Sequence, residues 1–197
     1  MKSKKWLRII TRNTVGVACG LMLGLSVTQA TQVFIAQPVK VSGLSMSPTI
    51  YDGESMVAIK PLKSKLKRGD IVVLHSPEDY NKLLIKRVIA LPGENFKYDG
   101  KNLVINDNAY QEEYLTHLNG DFDKISLDDL VAKKIIKQYE TNDKGQKVIP
   151  PGYVFVLGDN RRNSHDGDDF GLVRIDDVVA PAFTWEEVKN IALMKDK

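Results

Sequence analysis

The chain has 197 residues, of which 43% are hydrophobic and 27% charged, enough for one globular domain with a short additional segment but not for two full domains. Its net charge of +3 comes mainly from basic residues near the amino terminus, which argues against a broad nucleic-acid-binding face. The single cysteine, Cys19, cannot form an internal disulfide, and three scattered histidines lack zinc-ligand spacing, so no structural metal is expected.

The first predicted element is a membrane-spanning helix. Residues 15–35 carry no charge, over the roughly 20 residues that a helix needs to cross a bilayer. A cleavable signal peptide is the alternative, because the second half is partly polar and Gln29-Ala30 lies near a plausible processing point. We favour an anchor over residues 14–36, since the uncharged stretch is longer than the roughly 7 to 15 apolar residues of a signal-peptide core.

The charges around this segment predict its orientation. Five basic residues precede it, whereas only Lys40 follows closely, so the positive-inside tendency places residues 1–13 in the cytoplasm. No second apolar stretch of similar length follows; the later candidates are the length of strands. We therefore expect a single-pass cell-membrane protein whose residues 37–197 form one extracytoplasmic domain.

The external part is predicted to be mainly β. Short strand-like runs are separated by Gly, Pro and Asp signals. The runs cover residues 56–59, 71–75, 83–91, 96–98, 103–106 and 153–157. Between the fourth and fifth runs, Asp99-Gly100 is expected to supply the positive-φ residues of a tight hairpin turn.

Residues 115–147 differ from the rest of this part. They are more charged and carry one helical pattern, with Ser126 as the N-cap and Asp129 three residues later, a weaker relative of the capping box. We interpret them as a small, variable α/β subdomain inserted into the domain. A solvated loop that is only partly helical is the alternative, and no residue there suggests a chemical role.

Three motifs carry possible chemistry, and the first, SGLSMSPTI at residues 42–50, begins within ten residues of the predicted span. A serine preceded by Gly43 and followed by Pro48 suits a tight turn in which a hydroxyl is exposed and backbone N–H groups converge. A polar turn leaving the membrane explains the same composition. The motif alone therefore does not decide between a nucleophile and a turn.

The second motif is LLIKRVIALPGE at residues 83–94. In a strand, alternation places Lys86 on one face with Leu84 and Val88, and Arg87 on the other. A lysine has an ordinary pKa of about 10.4, so a base that works near pH 7 needs a pKa lower by roughly 3 units, which apolar burial is able to supply. A surface lysine on an edge strand is the commoner alternative.

The third motif is GDNRRNSHDGDDFG at residues 158–171, directly after the last predicted strand. Such a composition is typical of a turn. The functional interpretation is a hydrogen-bonded platform in which Ser164 holds a neutral amine and an Arg–Asp pair braces the loop. A calcium loop is a further alternative, but the acidic spacing does not match the twelve-residue pattern.

Together the motifs resemble one family, the type I signal peptidases, which remove signal peptides from exported proteins. The family has an S-M-x-P-T box, matched at residues 45–49, and a K-R-V-x-x-L-P-G-[DE] box, matched at residues 86–94. A third box, G-D-N-R-x-x-S-x-D, is matched at residues 158–166. The resemblance runs from the uncharged segment to about residue 180, and the insertion falls where such enzymes vary in length.

The resemblance implies a serine/lysine pair, with Ser45 as nucleophile and Lys86 as general base, and no cofactor. Its implied substrates are membrane-delivered preproteins with an A-x-A-like cleavage site, bound as an extended strand, and the bilayer is the second partner. The other implied residues are Gly43 and Ser164 for the oxyanion and the base, Asp159, Arg161 and Asp166 for structural support, and Leu44, Met46, Pro48 and Ile50 for substrate pockets or lipid contact.

Two departures from the family pattern stand out. The family usually continues the third box as D-S-R, whereas this chain has Asp166-Gly167-Asp168, so we expect Arg161 alone to brace Asp166. Some members also have a serine two positions before the nucleophile, where this chain has Gly43, as in Gram-positive-like members. The oxyanion hole is then expected to consist of backbone N–H groups, chiefly that of Ser45.

Other functions fit parts of the sequence. A noncatalytic, signal-peptidase-like protein that assists pilus or surface-protein assembly stays open because of the altered third box. A self-cleaving repressor with the same serine/lysine chemistry is disfavoured by the predicted span and the lack of a helix-turn-helix. A Ser-His-Asp triad is disfavoured because His165 adjoins Ser164 in sequence.

Overall fold

A computed structural model describes residues 36–100, 102–115 and 125–194 of the chain, with side chains up to residue 190. Nearly all of the predicted anchor lies outside these ranges. Among the helices that they contain, none is both long and apolar enough to cross a bilayer. Residues Pro38–Lys197 form a compact unit.

Strands dominate the described part of the chain. In chain order they are β1 Ala36–Lys40, β2 Ser55–Ile59, β3 Ile71–His75, β4 Leu83–Ala90, β5 Phe96–Asp99, β6 Asn102–Ile105, β7 Asn108–Tyr110, β8 Glu140–Thr141, β9 Lys147–Val148, β10 Tyr153–Leu157, β11 Val173–Arg174 and β12 Val178–Phe183. The α-helices are α1 Leu127–Ala132, α2 Gly167–Phe170 and α3 Trp185–Met194, and short 3-10 turns cover Lys60–Lys65, Glu113–Leu115 and Ile175–Asp177.

The main sheet has the strand order β1-β2-β12-β3-β4-β10-β11. Its pairs with a defined register, from β2 to β11, are all antiparallel. β5, β6 and β7 form a second sheet and β8 and β9 a third. Buried Val, Leu, Ile and Met side chains pack on both faces of β3, β4 and β10. The predominance of strands confirms the predicted mainly β fold.

The predicted strands are confirmed, with ends that differ by at most one residue. Sequence reasoning missed β12, although this strand lies inside the main sheet between β2 and β3. β12 contains Pro181, which cannot donate a ladder hydrogen bond and therefore argues against an interior strand. In its pairing with β3, Pro181 lies opposite Val72, and a register irregularity lies earlier in the strand, between Val178 and Ala180. α3 also lacked a recognised signal.

The hairpin of β5 and β6 is confirmed, but its predicted turn is shifted by one residue. Asp99 is the last residue of β5 and pairs with Asn102, so it is not a turn residue. Gly100, with φ of 62°, supplies the left-handed conformation. Turn chemistry identified the hairpin, whereas the pairing of Phe96 with Ile105 sets its register.

The helix predicted within the insertion is also confirmed. α1 begins after Ser126, whose side chain accepts a hydrogen bond from the backbone N–H of Asp129. Leu127 and Leu130 are buried in the core cluster that also contains Phe96 and Phe155. α1 therefore packs against the core of the domain.

Candidate active site

Lys86 lies in the middle of β4, where its side chain is 2% exposed. Its flanking strands are β3 on one side and β10 on the other, so the lysine stands inside the sheet and not at an edge. Burial lowers the pKa of Lys86, against the opposing negative charges of Asp166, Asp168 and Asp169. The direction of this change favours the neutral amine that a general base requires.

Ser164 lies next to this amine. The Nζ atom of Lys86 donates a hydrogen bond of 2.7 Å to Ser164 Oγ. This hydrogen bond has an ordinary length, and it orients the Lys86 side chain, which otherwise rotates about four bonds. Ser164 of the third motif therefore contacts the Lys86 amine of the second motif.

The turn that carries Ser45 is tied to the same loop. It begins with Gly43, whose φ of 97° suits glycine, and its Gly43 N–H donates to Asp52 Oδ1 at 2.8 Å. The carbonyl of Ser45 accepts from the backbone N–H of Asn160 at 2.9 Å. Asn160 Nδ2 also donates to the carbonyl of Leu44 at 3.0 Å. Ser45 is thereby fixed to the loop that holds Ser164.

Gly158 allows this close approach. A Cβ atom at this position would lie 2.1 Å from Ser164 Oγ and 2.5 Å from the Ser45 carbonyl oxygen. No other residue fits between the two serines without displacing one of them. Glycine is therefore required here by space and not by backbone conformation.

Ser45, Lys86 and Ser164 line one groove of about 760 Å³. One wall comes from the segment before Ser45, including Val39 and Val41, and the other from the start of β4, including Leu84 and Ile85. A volume of this size suits a peptide or small-ligand site with apolar walls and few polar groups. The two side chains of the proposed pair thus open to a common space.

Behind the groove, Arg87 and Asp159 form a buried ion pair. Arg87 Nε and Nη2 donate to the two carboxylate oxygens of Asp159 at 2.8 and 2.6 Å. Arg87 Nη1 donates to the Gly69 carbonyl at 2.7 Å, and its guanidinium lies 3.8 Å from the ring centre of Tyr114. This bidentate pair links β4 directly to the start of the third motif.

Arg161 does not brace Asp166 as we expected. Its Nη2 atom pairs with Glu112 Oε1 at 2.5 Å, its Nη1 donates to Tyr98 Oη at 2.8 Å, and its Nε donates to the Gly158 carbonyl at 3.0 Å. Glu112 also accepts hydrogen bonds from the hydroxyls of Tyr98 and Tyr114. Arg161 therefore supports the loop through the carbonyl of Gly158.

Asp166 is held by backbone instead. Its Oδ2 atom accepts from the Gly158 N–H at 2.7 Å, and its own N–H donates to Asp169 Oδ2 at 3.2 Å. Asp166 precedes α2, whose first residue, Gly167, lies against the Phe155 ring and the Val156 carbonyl. The carboxylates of Asp166, Asp168 and Asp169 lie close together, with one oxygen of each within 4.8 Å of the others.

Comparisons of the sequence with known proteins identify its family. A family model described as signal peptidase, peptidase S26, matches residues 12–185. Signal peptidase IB of Staphylococcus aureus strain Mu50 is 35% identical over 155 residues, which cover 74% of this chain and 75% of that protein. The chain belongs to the signal peptidase family. Signal peptidase I P of Bacillus subtilis subsp. natto is 33% identical over 162 residues, 81% of each chain.

A solved structure gives a further match. Signal peptidase I from Enterococcus faecalis V583 is 29% identical, with a TM-score of 0.47, and the match covers 59% of this chain and 95% of that one. Membership of the signal peptidase family confirms the resemblance and makes the chain an enzyme, a serine endopeptidase of the signal peptidase I type. Preproteins with signal peptides are the substrates that the family implies.

Within the signal peptidase groove, the expected pocket or lipid contacts divide into two groups. Leu44 lines the groove and is 53% exposed, and Pro48 is half-buried. Met46 and Ile50 are at most 1% exposed and belong to a core cluster with Met56 and Val73. Their interpretation as surface contacts is wrong, because the turn points these side chains inward to fix the segment that carries Ser45.

Sequence reasoning missed Arg87, Glu112, Tyr98 and Tyr114 as supports of the site. Arg87 had a signal, because a second charge beside Lys86 on a strand buried on both faces requires a partner. Glu112 had none, since its partner Arg161 is 49 positions away. Only the folded chain brings these four side chains together.

Proposed function

We propose that this signal peptidase cleaves with a serine/lysine pair, in which Ser45 is the nucleophile and Lys86 the general base. The observation that supports this most is the environment of Lys86: a buried amine with a lowered pKa, hydrogen-bonded to Ser164, in a groove shared with Ser45. A neutral amine with a free lone pair is able to accept the hydroxyl proton.

The proposed reaction has two acyl-transfer steps. Lys86 Nζ takes the proton of Ser45 Oγ as that oxygen attacks the scissile carbonyl carbon, and the backbone N–H of Ser45 donates to the oxyanion. The proton then passes to the leaving amine, and the C–N bond breaks to leave an ester on Ser45. Water, deprotonated by the same lysine, hydrolyses the ester and restores both side chains.

The proposed substrate segment lies as an extended strand in the groove. The groove walls are the stretch before Ser45 and the start of β4. A peptide between these walls is able to form backbone hydrogen bonds with the chain on both sides. Small residues at one and three positions before the cut, the A-x-A pattern, suit shallow pockets beside Leu44. No cofactor takes part in any of these steps.

We also propose that residues 14–36 anchor the enzyme in the cell membrane, with residues 1–13 in the cytoplasm and the catalytic domain outside. The uncharged stretch and the basic residues before it support this topology. The lipid bilayer is then the second partner, and it delivers preproteins directly to the groove.

Cleavage of a precursor with an A-x-A site tests the proposed pair. The full chain in detergent should release a product of the expected mass, and Ser45→Ala and Lys86→Ala should each abolish it while the β domain stays folded. Lys86→Arg should be equally inactive, because a guanidinium with a pKa above about 12 is not a neutral base at working pH. Substantial cleavage by any of these three variants would contradict the proposed roles of Ser45 and Lys86.

Matched controls come from the 3-10 turn Lys60–Lys65. Ser64→Ala and Lys65→Ala remove the same side chains from exposed positions outside the groove and should cleave normally. A wild-type chain that binds the precursor but never cleaves it would favour the noncatalytic assembly role instead.

The topology has its own test. The full chain should stay in the membrane pellet after high-salt and carbonate washing, because a hydrophobic helix is not displaced by salt. Protease added outside spheroplasts should digest the catalytic domain. Release of the intact chain by washing would contradict the anchor.

A further inference from the structure

Asp168 occupies an unusual place beside the groove. Its Oδ1 atom is buried from solvent and has no hydrogen-bond partner. A buried carboxylate oxygen without a donor is unfavourable by an amount comparable to a lost charged hydrogen bond, so such an atom calls for a specific explanation.

The neighbours of Asp168 suggest a proton. One carboxylate oxygen of Asp168 lies within 4.8 Å of one of Asp166, and Oδ2 of Asp166 is already held by the Gly158 N–H. Two ionised carboxylates in contact repel, whereas one proton between them makes a strong hydrogen bond. Burial, the contact with Asp166 and its negative charge raise the pKa of Asp168 to about 7.

The surrounding charged groups come from three parts of the chain. β4 presents Lys86, and Lys82 lies just before this strand. The loop and α2 present His165 and Asp169, which contact each other at 3.0 Å, and His165 also contacts Glu78 at 2.7 Å. β10, against which α2 packs, contributes the Phe155 ring and the Val156 carbonyl next to Gly167. Within the described part of the chain, no Lys or Arg forms an ion pair with Asp166 or Asp168 that would replace a shared proton.

We propose that Asp168 is a positioning residue, held as a neutral acid that donates its proton to Asp166 and thereby limits the negative charge beside Lys86. This inference rests on the proposed role of Lys86 as base. With the proton in place, the carboxyl pair carries one negative charge, and the opposing effect on the pKa of Lys86 is smaller. Loss of the proton adds a second charge, which favours the protonated, inactive amine.

The first test is the pH dependence of kcat/KM for Asp168→Asn in the full chain. Asparagine is neutral at every pH and its amide still donates to Asp166. The kcat/KM values of variant and wild type should be equal at about pH 6. The ascending limb of the variant's pH profile should lie about half a pKa unit lower than that of the wild type, because wild-type Asp168 adds its charge effect on Lys86 only as it loses its proton. A ratio of variant to wild type that does not change with pH would overturn the proposal.

Asp169→Asn is the matched control. It removes a carboxylate from the same helix, but this side chain is 47% exposed and lies outside the proposed pair. Its ratio to wild type should not rise as the pH increases from about 6, whatever its size. A ratio that rises with pH as steeply as that of Asp168→Asn would assign the effect to general charge and not to the shared proton.

Infrared difference spectroscopy supplies a readout that does not need cleavage. At about pH 6 the wild type should show a carboxylic-acid band that Asp169→Asn keeps and Asp168→Asn loses. The absence of such a band in the wild type overturns the proposal even if Asp168→Asn does not fold. The same measurement on Ser45→Ala separates the neutral Asp168 from the serine/lysine mechanism. The band should persist in this variant, because it does not depend on whether Ser45 is the nucleophile.

Discussion

The buried pair of Arg161 and Glu112 offers a sharp test of how the third motif is supported. Their side chains are only 6% and 2% exposed, and Nη2 and Oε1 are 2.5 Å apart. Glu112→Gln keeps the shape of the side chain but removes its negative charge. The buried Arg161 guanidinium then loses the carboxylate that faces its Nη2 atom.

Loss of one partner from a fully buried pair costs about 3–5 kcal/mol of the free energy of unfolding. A domain of this size shifts its thermal midpoint by roughly 2–4 °C per kcal/mol, so a fall on the order of 10 °C is expected. Calorimetry on the full chain in detergent measures it. Cleavage should fall as well, since Arg161 Nε holds the Gly158 carbonyl between Ser45 and Ser164.

Asp128→Asn is the matched control, because the Lys147–Asp128 pair is nearly as short, at 2.6 Å, but its side chains are 32% and 60% exposed. Solvent screens such a pair, so the midpoint should not change measurably. A double-mutant cycle of Glu112→Gln with Arg161→Met should give a coupling of about 1 kcal/mol or more. The reasoning fails if Glu112→Gln is as harmless as the control or if the two changes are additive.

Further predictions follow from the same site. Ser164→Ala should lower kcat far more than KM in the cleavage assay, because Lys86 loses the acceptor that orients its amine; an equal loss through KM alone would contradict this. Gly158→Ala should abolish cleavage and lower the midpoint, because the added methyl overlaps Ser164 Oγ and the Ser45 carbonyl. The pKa of Lys86 is lowered in the fold, so below its ordinary value of 10.5 the lysine is protonated more fully in the unfolded chain than in the folded one. The free energy of unfolding of wild type should therefore increase relative to that of Lys86→Met as the pH rises. Asp168 has the opposite sign, because its pKa is raised in the fold. The folded wild type therefore gains stability below about pH 4, and this contribution is lost as the pH rises to about 7. Relative to wild type, the free energy of unfolding of Asp168→Asn should increase by about 1–2 kcal/mol across this window, after allowance for solvent screening.

Local signals in the sequence were sufficient for several parts of the fold. Short continuous apolar runs predicted β3 and β10 with their observed ends, and Ser126 predicted the start of α1. These features depend on neighbours a few residues apart, which is why apolar runs and caps report them. The three motifs likewise predicted the family, because their residue types and spacing are both distinctive.

Long-range packing decided what the sequence did not. β12 was missed because Pro181 argues against an interior strand, whereas its pairing with β2 and β3, far earlier in the chain, is a property of the folded sheet. The partner of Arg161 proved to be Glu112 and not the nearby Asp166, because the turn at Glu112 brings its carboxylate to the guanidinium while Gly158 N–H satisfies Asp166. Burial, which lowers the pKa of Lys86, is likewise a property of the folded sheet and not of the strand that carries it.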